Sequence, residues 1–467
     1  MKLDKSYFFC GIGGSGMLPL ALIVQGRGAR VAGSDRTLDQ GKLGGKFDFL
    51  RARGIPLFAQ DGTGLTSADQ ILIASAAVEE TVLDVVRARE LGAERMTRAQ
   101  LLAELFNDAP IGIAVAGTSG KSTVTGMIGW ILHASGRDPT VMNGAVMKNF
   151  VTPDAPFATA LVGQGEPFVS EVDESDGSIA LYRPKVAVLN NISLDHKSME
   201  ELRQLFGDFI GQEALVVANA DDEEAAALLA THQPASVATF SVEGRPGSAD
   251  LVATNIAEEP FAISFDVIDG QEAAGRVRLA VPGRHNVSNA LAALLAAAGA
   301  GVSLPEAMRA IEGFSGLKRR FELVGEAGGV TVIDDFGHNP DKIAATLRTL
   351  HAFPGRLLLF FQPHGFGPLK TMGRELAETF ASEMSPDDVL VMADPVYHGG
   401  TTDRTFGSET VTDQVAARGR HAEHVPSRAA CAGRLVELAR SGDRIVVMGA
   451  RDDTLSIFAQ ELVERLG

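Results

Sequence analysis

Cysteine is nearly absent from this sequence: its 467 residues include only two, Cys10 and Cys431, far apart and in no metal-ligand spacing. That argues against a disulfide framework and against a structural zinc site. Both cysteines read as small apolar residues flanking strands. Cations are scarce relative to anions, with 42 Lys and Arg against 59 Asp and Glu and a formal net charge of −17. A general nucleic-acid binder needs a basic surface, so that class is set aside, and an anionic ligand would need locally concentrated positive charge. Long apolar runs are missing too. The longest, Ala290–Ala300 and its flanks, falls short of the ~18–20 residues of a membrane span. The opening MKLDKSYFFCGIGG has too short an apolar stretch before its glycines for a signal peptide, so cytoplasmic residence with no membrane partner is expected. What is present is an ordinary globular composition, 45% hydrophobic and 22% charged. The length suits roughly three domains, each able to bury a core.

The order of patterns predicts three α/β domains in series, at 1–107, 108–315 and 316–467. In the first, strands at Tyr7–Cys10, Arg30–Ala32 and Gln70–Ala74 alternate with helices such as Met17–Gln25, a rhythm that favours a parallel sheet covered on both faces. The second opens on the apolar strand Ile111–Ala116 and continues through Pro167–Val172, Val186–Asn190 and Ala214–Ala218. From about Ser236 to Val281, Val, Ile and Phe alternate between short polar turns, which predicts an antiparallel insertion. An alanine-rich helix, Asn286–Gly299, follows. The third carries strands at Val330–Ile333, Arg356–Phe361, Asp388–Met392 and Arg444–Met448, with helices such as Lys342–His351 between them.

The strongest local signal is AVAGTSGKSTVTGMIGWIL, Ala114–Leu132. An apolar strand enters a glycine loop, and an apolar-periodic helix leaves it. Such a loop closes backbone N–H groups around phosphate oxygens while the helix N-terminus adds positive potential. Gly117, Thr118 and Gly120 form the cradle. Lys121 offers a point charge to the outer phosphates of ATP, and Ser122 or Thr123 offers a hydroxyl to Mg²⁺. The general Walker pattern wants glycine six positions before the lysine, where Val115 stands, so the match is to the variant G-T-x-G-K-[ST]-T.

Downstream, SEVDESDGS (Ser170–Ser178) places four carboxylates at the end of a predicted strand, and NNISLDHKS (Asn190–Ser198) brings Asp195 and His196 to another. Clustered carboxylates are costly unless a cation neutralises them, and ligand sites in open α/β sheets lie at strand C-termini. Glu171 and His196 are therefore candidate Mg²⁺ ligands; acidic loop residues facing water are the bland alternative. Near the start, Gly11, Gly13 and Gly16 satisfy G-x-G-x-x-G after a strand, and Asp35 ends the next strand. That geometry accepts a dinucleotide or any other diphosphate.

Six motifs occur in order: GTSGKST, EVDESDGS, NNISLDH, GRHNVSNALAA (Gly283–Ala293), KRRF (Lys318–Phe321) and DDFGHNP (Asp334–Pro340). The series resembles the Mur ligases of peptidoglycan synthesis over nearly the whole chain. The DESDGS form and FQPHGF (Phe361–Phe366) resemble the branch that joins L-alanine to UDP-N-acetylmuramate. The resemblance implies an N-terminal Rossmann-like domain binding the UDP-sugar, a central P-loop ATPase-like domain and a C-terminal Rossmann-like domain binding the amino acid. It implies that Lys121 holds ATP phosphates, Ser122 one Mg²⁺, and Glu171 and His196 Mg²⁺ near the γ-phosphate and the substrate carboxylate. Asn286 and Asn289 match positions near the adenine, and Arg320 and Asp335 positions that close over the nucleotide. His338 lies where the incoming amino acid is placed. Gly11, Gly13, Gly14, Ser15, Gly16 and Ser75 would serve the UDP-sugar, with Ser34 and Asp35 near its ribose.

The implied reaction makes an acyl phosphate from ATP and a carboxylate, which an amine then attacks, in a monomer or homodimer that takes UDP-N-acetylmuramate and an amino acid or short peptide. Three positions depart from the family pattern: Ser119 stands in place of histidine, Asn339 makes GHNP of GHHP, and Gly365 replaces an arginine after FQPH. Lys197 is a position where modification is left open. The recycling relative that adds a tripeptide to the same UDP-sugar is the runner-up, but it usually carries tyrosine and threonine where Ser175 and Ser178 stand. An NAD-dependent oxidoreductase would rest on Gly11–Gly16 alone.

Overall fold

A computed structural model describes residues 5–42, 44–194, 197–212, 214–396, 405–450, 452 and 454–467. The chain divides into two compact units. The first holds residues 1–255, 265–278 and 287–315, and the second 256–264, 279–286 and 316–467.

The first unit begins with a five-stranded parallel sheet. Its strands are β1 (Ser6–Cys10), β2 (Arg30–Ser34), β3 (Leu57–Phe58), β4 (Gln70–Ala74) and β5 (Glu94–Thr97), in the order β3-β2-β1-β4-β5. The order reverses at β1, so the loop after β1 opens at a topological switch point. Period-two alternation sends Tyr7 and Phe9 to one buried cluster and Phe8 and Cys10 to another, which fixes the register and covers both faces. Burial and the neighbouring Asp84 push the Cys10 thiol up to about 12, and burial does the same for Cys431. Both thiols are therefore inert at neutral pH, as small core residues should be.

A ten-stranded sheet follows. It is built from β6 (Ile111–Ala116), β7 (Thr140–Met142), β8 (Ala160–Leu161), β9 (Pro167–Glu171), β10 (Val186–Leu189), β11 (Leu215–Asn219), β12 (Ser236–Ser241), β13 (Leu251–Glu259), β14 (Ala262–Asp269) and β15 (Glu272–Leu279). The order is β15-β14-β13-β12-β11-β10-β6-β9-β7-β8, with β6 paired in parallel to both β9 and β10. The expected antiparallel insertion is narrower than 236–281. β12 is parallel to β11, and β13 joins β12 in parallel through Leu251 and Val252. The helix Glu223–His232 supplies the crossover that a parallel partner needs. Only β13, β14 and β15, joined by two-residue links, form the meander.

In the second unit, β16 (Glu322–Ala327), β17 (Val330–Asp335), β18 (Leu357–Phe361), β19 (Val389–Met392), β20 (His421–His424) and β21 (Arg444–Met448) form a six-stranded sheet. Its order is β16-β17-β21-β18-β19-β20, with β16 antiparallel at one edge and the other strands parallel. Along β18, Leu357, Leu359 and Phe361 enter one core while Leu358 and Phe360 enter the other.

Candidate active site

The phosphate loop follows β6 as its sequence requires. Gly117 and Gly120 adopt φ of +127° and +85°, and the helix Lys121–Ala134 starts directly after Gly120. A Cβ on Gly120 would stand 2.5 Å from Asn190 Nδ2, and one on Gly117 3.0 Å from the Asn191 carbonyl oxygen. Only glycine fits either place. The pair Asn190–Asn191, at the end of β10, holds the loop from behind. Asn191 Oδ1 accepts from the Ser119 N–H at 2.8 Å, while Asn190 and Asn191 each donate to the Ser119 carbonyl at 3.0 Å. Thr118 Oγ1 bridges to the Ser193 backbone through both its N–H and its carbonyl. Ser119 is thus gripped by its main chain, which leaves its side chain free to differ from histidine without disturbing the loop.

Two acidic residues meet the loop from the end of β9. Ser122 Oγ donates to Glu171 Oε2 at 2.8 Å. Lys121 Nζ donates to the Gly117 carbonyl at 2.6 Å and to both oxygens of Glu174, at 3.1 and 2.8 Å. Asn143 Nδ2 donates to the Ser122 carbonyl, and its Oδ1 accepts from the Ala145 N–H, shaping the turn that carries Gly144 past Glu171. Thr123 lies in the first helical turn, half-buried. Asn289 is buried, and its Oδ1 accepts from Asn190 at 3.0 Å, which ties the alanine-rich helix to the phosphate loop. His196 and Asp195 lie outside the described residues.

A cavity of about 460 Å³ opens beside the first glycine motif and reaches Glu171, which contacts Ser122 of the phosphate loop. Gly11, Gly14, Ser15, Gly16 and Ser75 line it, together with Asn143, Gly144 and Glu171. Arg98 lines it as well, close enough to Gly16 that a Cβ there would stand 3.0 Å from its Cδ. Gly13 donates to Asp35 Oδ2 at 2.9 Å, and the other Asp35 oxygen caps the short helix Arg36–Asp39 through the Thr37 N–H. Asp35 therefore braces the loop. Ser34 is fully buried, and its hydroxyl donates to Asp84 in the core.

In the second unit, Asp335 brackets three groups. Oδ1 accepts from the Phe321 N–H, and Oδ2 from the Gly337 N–H and the Thr346 hydroxyl. Arg319, at φ +58°, is the buried arginine of KRRF. It pairs with Asp334 at 3.3 Å and donates to the Gly449 and Asp452 carbonyls. Arg320 is half-buried with its guanidinium 4.1 Å from the centre of the Phe336 ring. Asn286 is buried and donates to the Pro282 carbonyl at 2.6 Å. His338 sits edge-on to Phe336 and His364, at 5.4 and 5.6 Å, with Nδ1 2.9 Å from the Phe336 carbonyl. Burial, then the charge of Lys342, pulls its imidazole down to about 3, so it is neutral at pH 7. Asn339 caps the helix Pro340–His351 by accepting from the Lys342 N–H at 3.0 Å. The asparagine of GHNP thus has a local structural reason.

Three family models match consecutive parts of the chain: Mur ligase family, catalytic domain, at 6–109; Mur ligase middle domain at 115–297; and Mur ligase, glutamate ligase domain, at 319–451. The UDP-N-acetylmuramate–L-alanine ligase of a Synechococcus species is 36% identical over 96% of this chain and 85% of its own length. The chain belongs to the Mur ligase family. Among solved structures, the Thermotoga maritima UDP-N-acetylmuramate–alanine ligase is similar at TM-score 0.79 and 25% identity, covering 99% of each chain. A murein peptide ligase of Psychrobacter arcticus gives 0.71 and 26%, again over 99% of each. Membership in the Mur ligases leaves no role for a dinucleotide oxidoreductase reading of Gly11–Gly16. Among the described residues, no helix is long and apolar enough to cross a membrane.

Several site residues escaped the sequence reading. Glu174 was one of four neighbouring carboxylates with nothing to single it out. Asn190 and Asn191 were visible as a pair at a strand end, the one signal that could have marked them. Gly144 and Arg98 carry no local pattern.

Proposed function

We propose that this Mur ligase joins L-alanine to the carboxylate of UDP-N-acetylmuramate, using ATP, in the cytoplasm during peptidoglycan synthesis. The observation that carries the reading is the cavity running from the first glycine loop to Glu171, beside the phosphate loop. A ligand with a diphosphate at one end and a carboxylate at the other suits such a channel. The curated relative named above and the TM-score of 0.79 against an alanine ligase support L-alanine over a tripeptide as the amine. Domains are assigned to 1–107, 108–315 and 316–467, acting as a monomer or homodimer.

Gly117, Thr118, Gly120 and Thr123 form the cradle for the ATP phosphates, and Lys121 neutralises them. The hard oxygen donors of Ser122 and Glu171, 2.8 Å apart, fit Mg²⁺, which usually takes one or two carboxylates and completes its shell with water and phosphate. His196 would join them. Bound Mg²⁺ would supply charge neutralisation at the transferring phosphoryl group. The substrate carboxylate oxygen attacks the γ-phosphorus, ADP leaves, and an acyl phosphate forms. The amine then attacks the acyl carbon; the tetrahedral adduct releases phosphate and loses a proton to leave the amide. Alignment and charge do most of the work in phosphoryl transfer. A neutral His338 is available to accept a hydrogen bond from the incoming ammonium group. Asn286, Asn289, Arg320 and Asp335 are assigned to the nucleotide, and Asp35 and Ser75 to the uridine end, with Ser34 supporting that end from the core through Asp84.

The test is a phosphate-release screen of amino acids and short peptides with UDP-N-acetylmuramate and Mg-ATP. Turnover with L-alanine is expected, and turnover with a tripeptide alone would reject the assignment. Lys121→Ala should abolish phosphate release while calorimetry still detects UDP-N-acetylmuramate binding.

A further inference from the structure

The loop after β9 reaches two cations at once. Glu174, 4% exposed, holds the Lys121 ammonium with both carboxylate oxygens, and the Gly117 carbonyl accepts from it at 2.6 Å. Two residues further on, Asp176 lies 3.8 Å from the guanidinium of Arg98, which lines the cavity beside Gly16. A phosphate reaching Lys121 meets the negative charge of Glu174 on the same ammonium, so the two anions compete for it. Gly117 is part of the cradle, so the partner that yields is Glu174, carried on the turn between β9 and the 3₁₀ segment Ser178–Leu181. If the turn swings, it carries Asp176 from Arg98 as well.

We propose that Glu174 is a positioning residue that stands in for a phosphate on Lys121. We further propose that the turn it shares with Asp176 couples the ATP and UDP-sugar sites. A phosphate at Lys121 or a diphosphate at Arg98 favours the same displaced turn, so each ligand tightens the other. The inference rests on the assignment of those two sites made above. In the resting protein, Glu174 holds the lysine extended in the cradle and keeps its charge compensated while no nucleotide is bound.

Calorimetry on the full chain tests this with the non-hydrolysable analogue adenosine imidotriphosphate and Mg²⁺, with and without saturating UDP-N-acetylmuramate and with no amino acid. The wild type should bind the analogue roughly 5- to 50-fold more tightly when the UDP-sugar is present. Glu174→Gln keeps the shape and removes the charge. It should bind the analogue more tightly than wild type in the absence of UDP-sugar, and its coupling factor should approach one. Asp176→Asn, on the more exposed end of the turn, should also lower the coupling while UDP-sugar affinity holds or rises. A purely structural Glu174 would weaken both ligands and reduce the melting temperature instead. Weaker nucleotide binding by Glu174→Gln, no coupling in the wild type, or full coupling in both variants would overturn the proposal. Failure of the wild type to bind either ligand would instead remove the functional assignment itself.

Discussion

Replacing Gly144 with alanine perturbs Glu171, the carboxylate proposed to hold Mg²⁺, through a single methyl group. The added Cβ would stand 2.0 Å from Glu171 Oε1 and 3.1 Å from its Cδ. An unstrained carbon–oxygen contact is more than 3 Å, so the carboxylate must retreat by about 1 Å. Misplacing a reacting group on that scale costs on the order of 100-fold in rate. The retreat also stretches the 2.8 Å bond from Ser122, a charge-assisted contact contributing about 1.5–3 kcal/mol. Gly144 lies on a turn lining the cavity, and its own φ is not in the left-handed region. The fold should therefore survive. Steady-state phosphate release with UDP-N-acetylmuramate, L-alanine and Mg-ATP should show kcat reduced roughly 100-fold, with a raised Mg²⁺ requirement and a melting temperature close to wild type. A variant within about threefold of wild-type kcat at low Mg²⁺ would refute the placement of Glu171 against Gly144. A variant that is inactive because it is unfolded would show a collapsed melting transition.

Asn339→Ala should lower stability by about 1 kcal/mol through loss of the cap on Pro340–His351; an unchanged denaturation midpoint would show that the cap is idle. His338 supplies a pH signature. Its folded pKa of about 3 lies below the ordinary value of 6.5, so between those values the unfolded chain binds the extra proton. Its contribution to stability is present above about 6.5 and is lost as pH falls toward 3. His338→Gln should therefore flatten the decline in melting temperature between pH 6.5 and 4, and equal slopes in both proteins would contradict a neutral, buried imidazole.

Strands with continuous apolar runs were legible to within a residue or two: β4, β6 and β21 match their expected limits, and β1 and β18 differ by one residue. Their signal is local, because a strand buried on both faces needs apolar side chains throughout. The limits of the antiparallel insertion were misjudged for the opposite reason. β12 alternates like an exposed strand, since Ser236 and Val237 face solvent at the outer end, yet its partner is set by the preceding helical crossover. The edge strand β16, with only partly buried side chains, offered no apolar pattern to read.

The catalytic groups divide along the same line. Lys121, Ser122 and Glu171, the groups we propose for phosphate and cation, were legible as candidates because they stand at the ends of adjacent strands, β6 and β9. What holds them was not. Gly144 matters only because Glu171 passes within a methyl's breadth of it across 27 residues of sequence, and Glu174 only because its carboxylate meets Lys121 rather than water. Arg319 and Arg320 make the point within one motif. Both guanidinium groups lie over Phe336, at 5.2 and 4.1 Å from its ring centre, but only Arg319 is buried and pairs with Asp334, although the sequence presents the two as equivalent neighbours. The left-handed backbone at Arg319 is braced by the Glu322 carboxylate accepting from the Arg319 N–H at 2.9 Å.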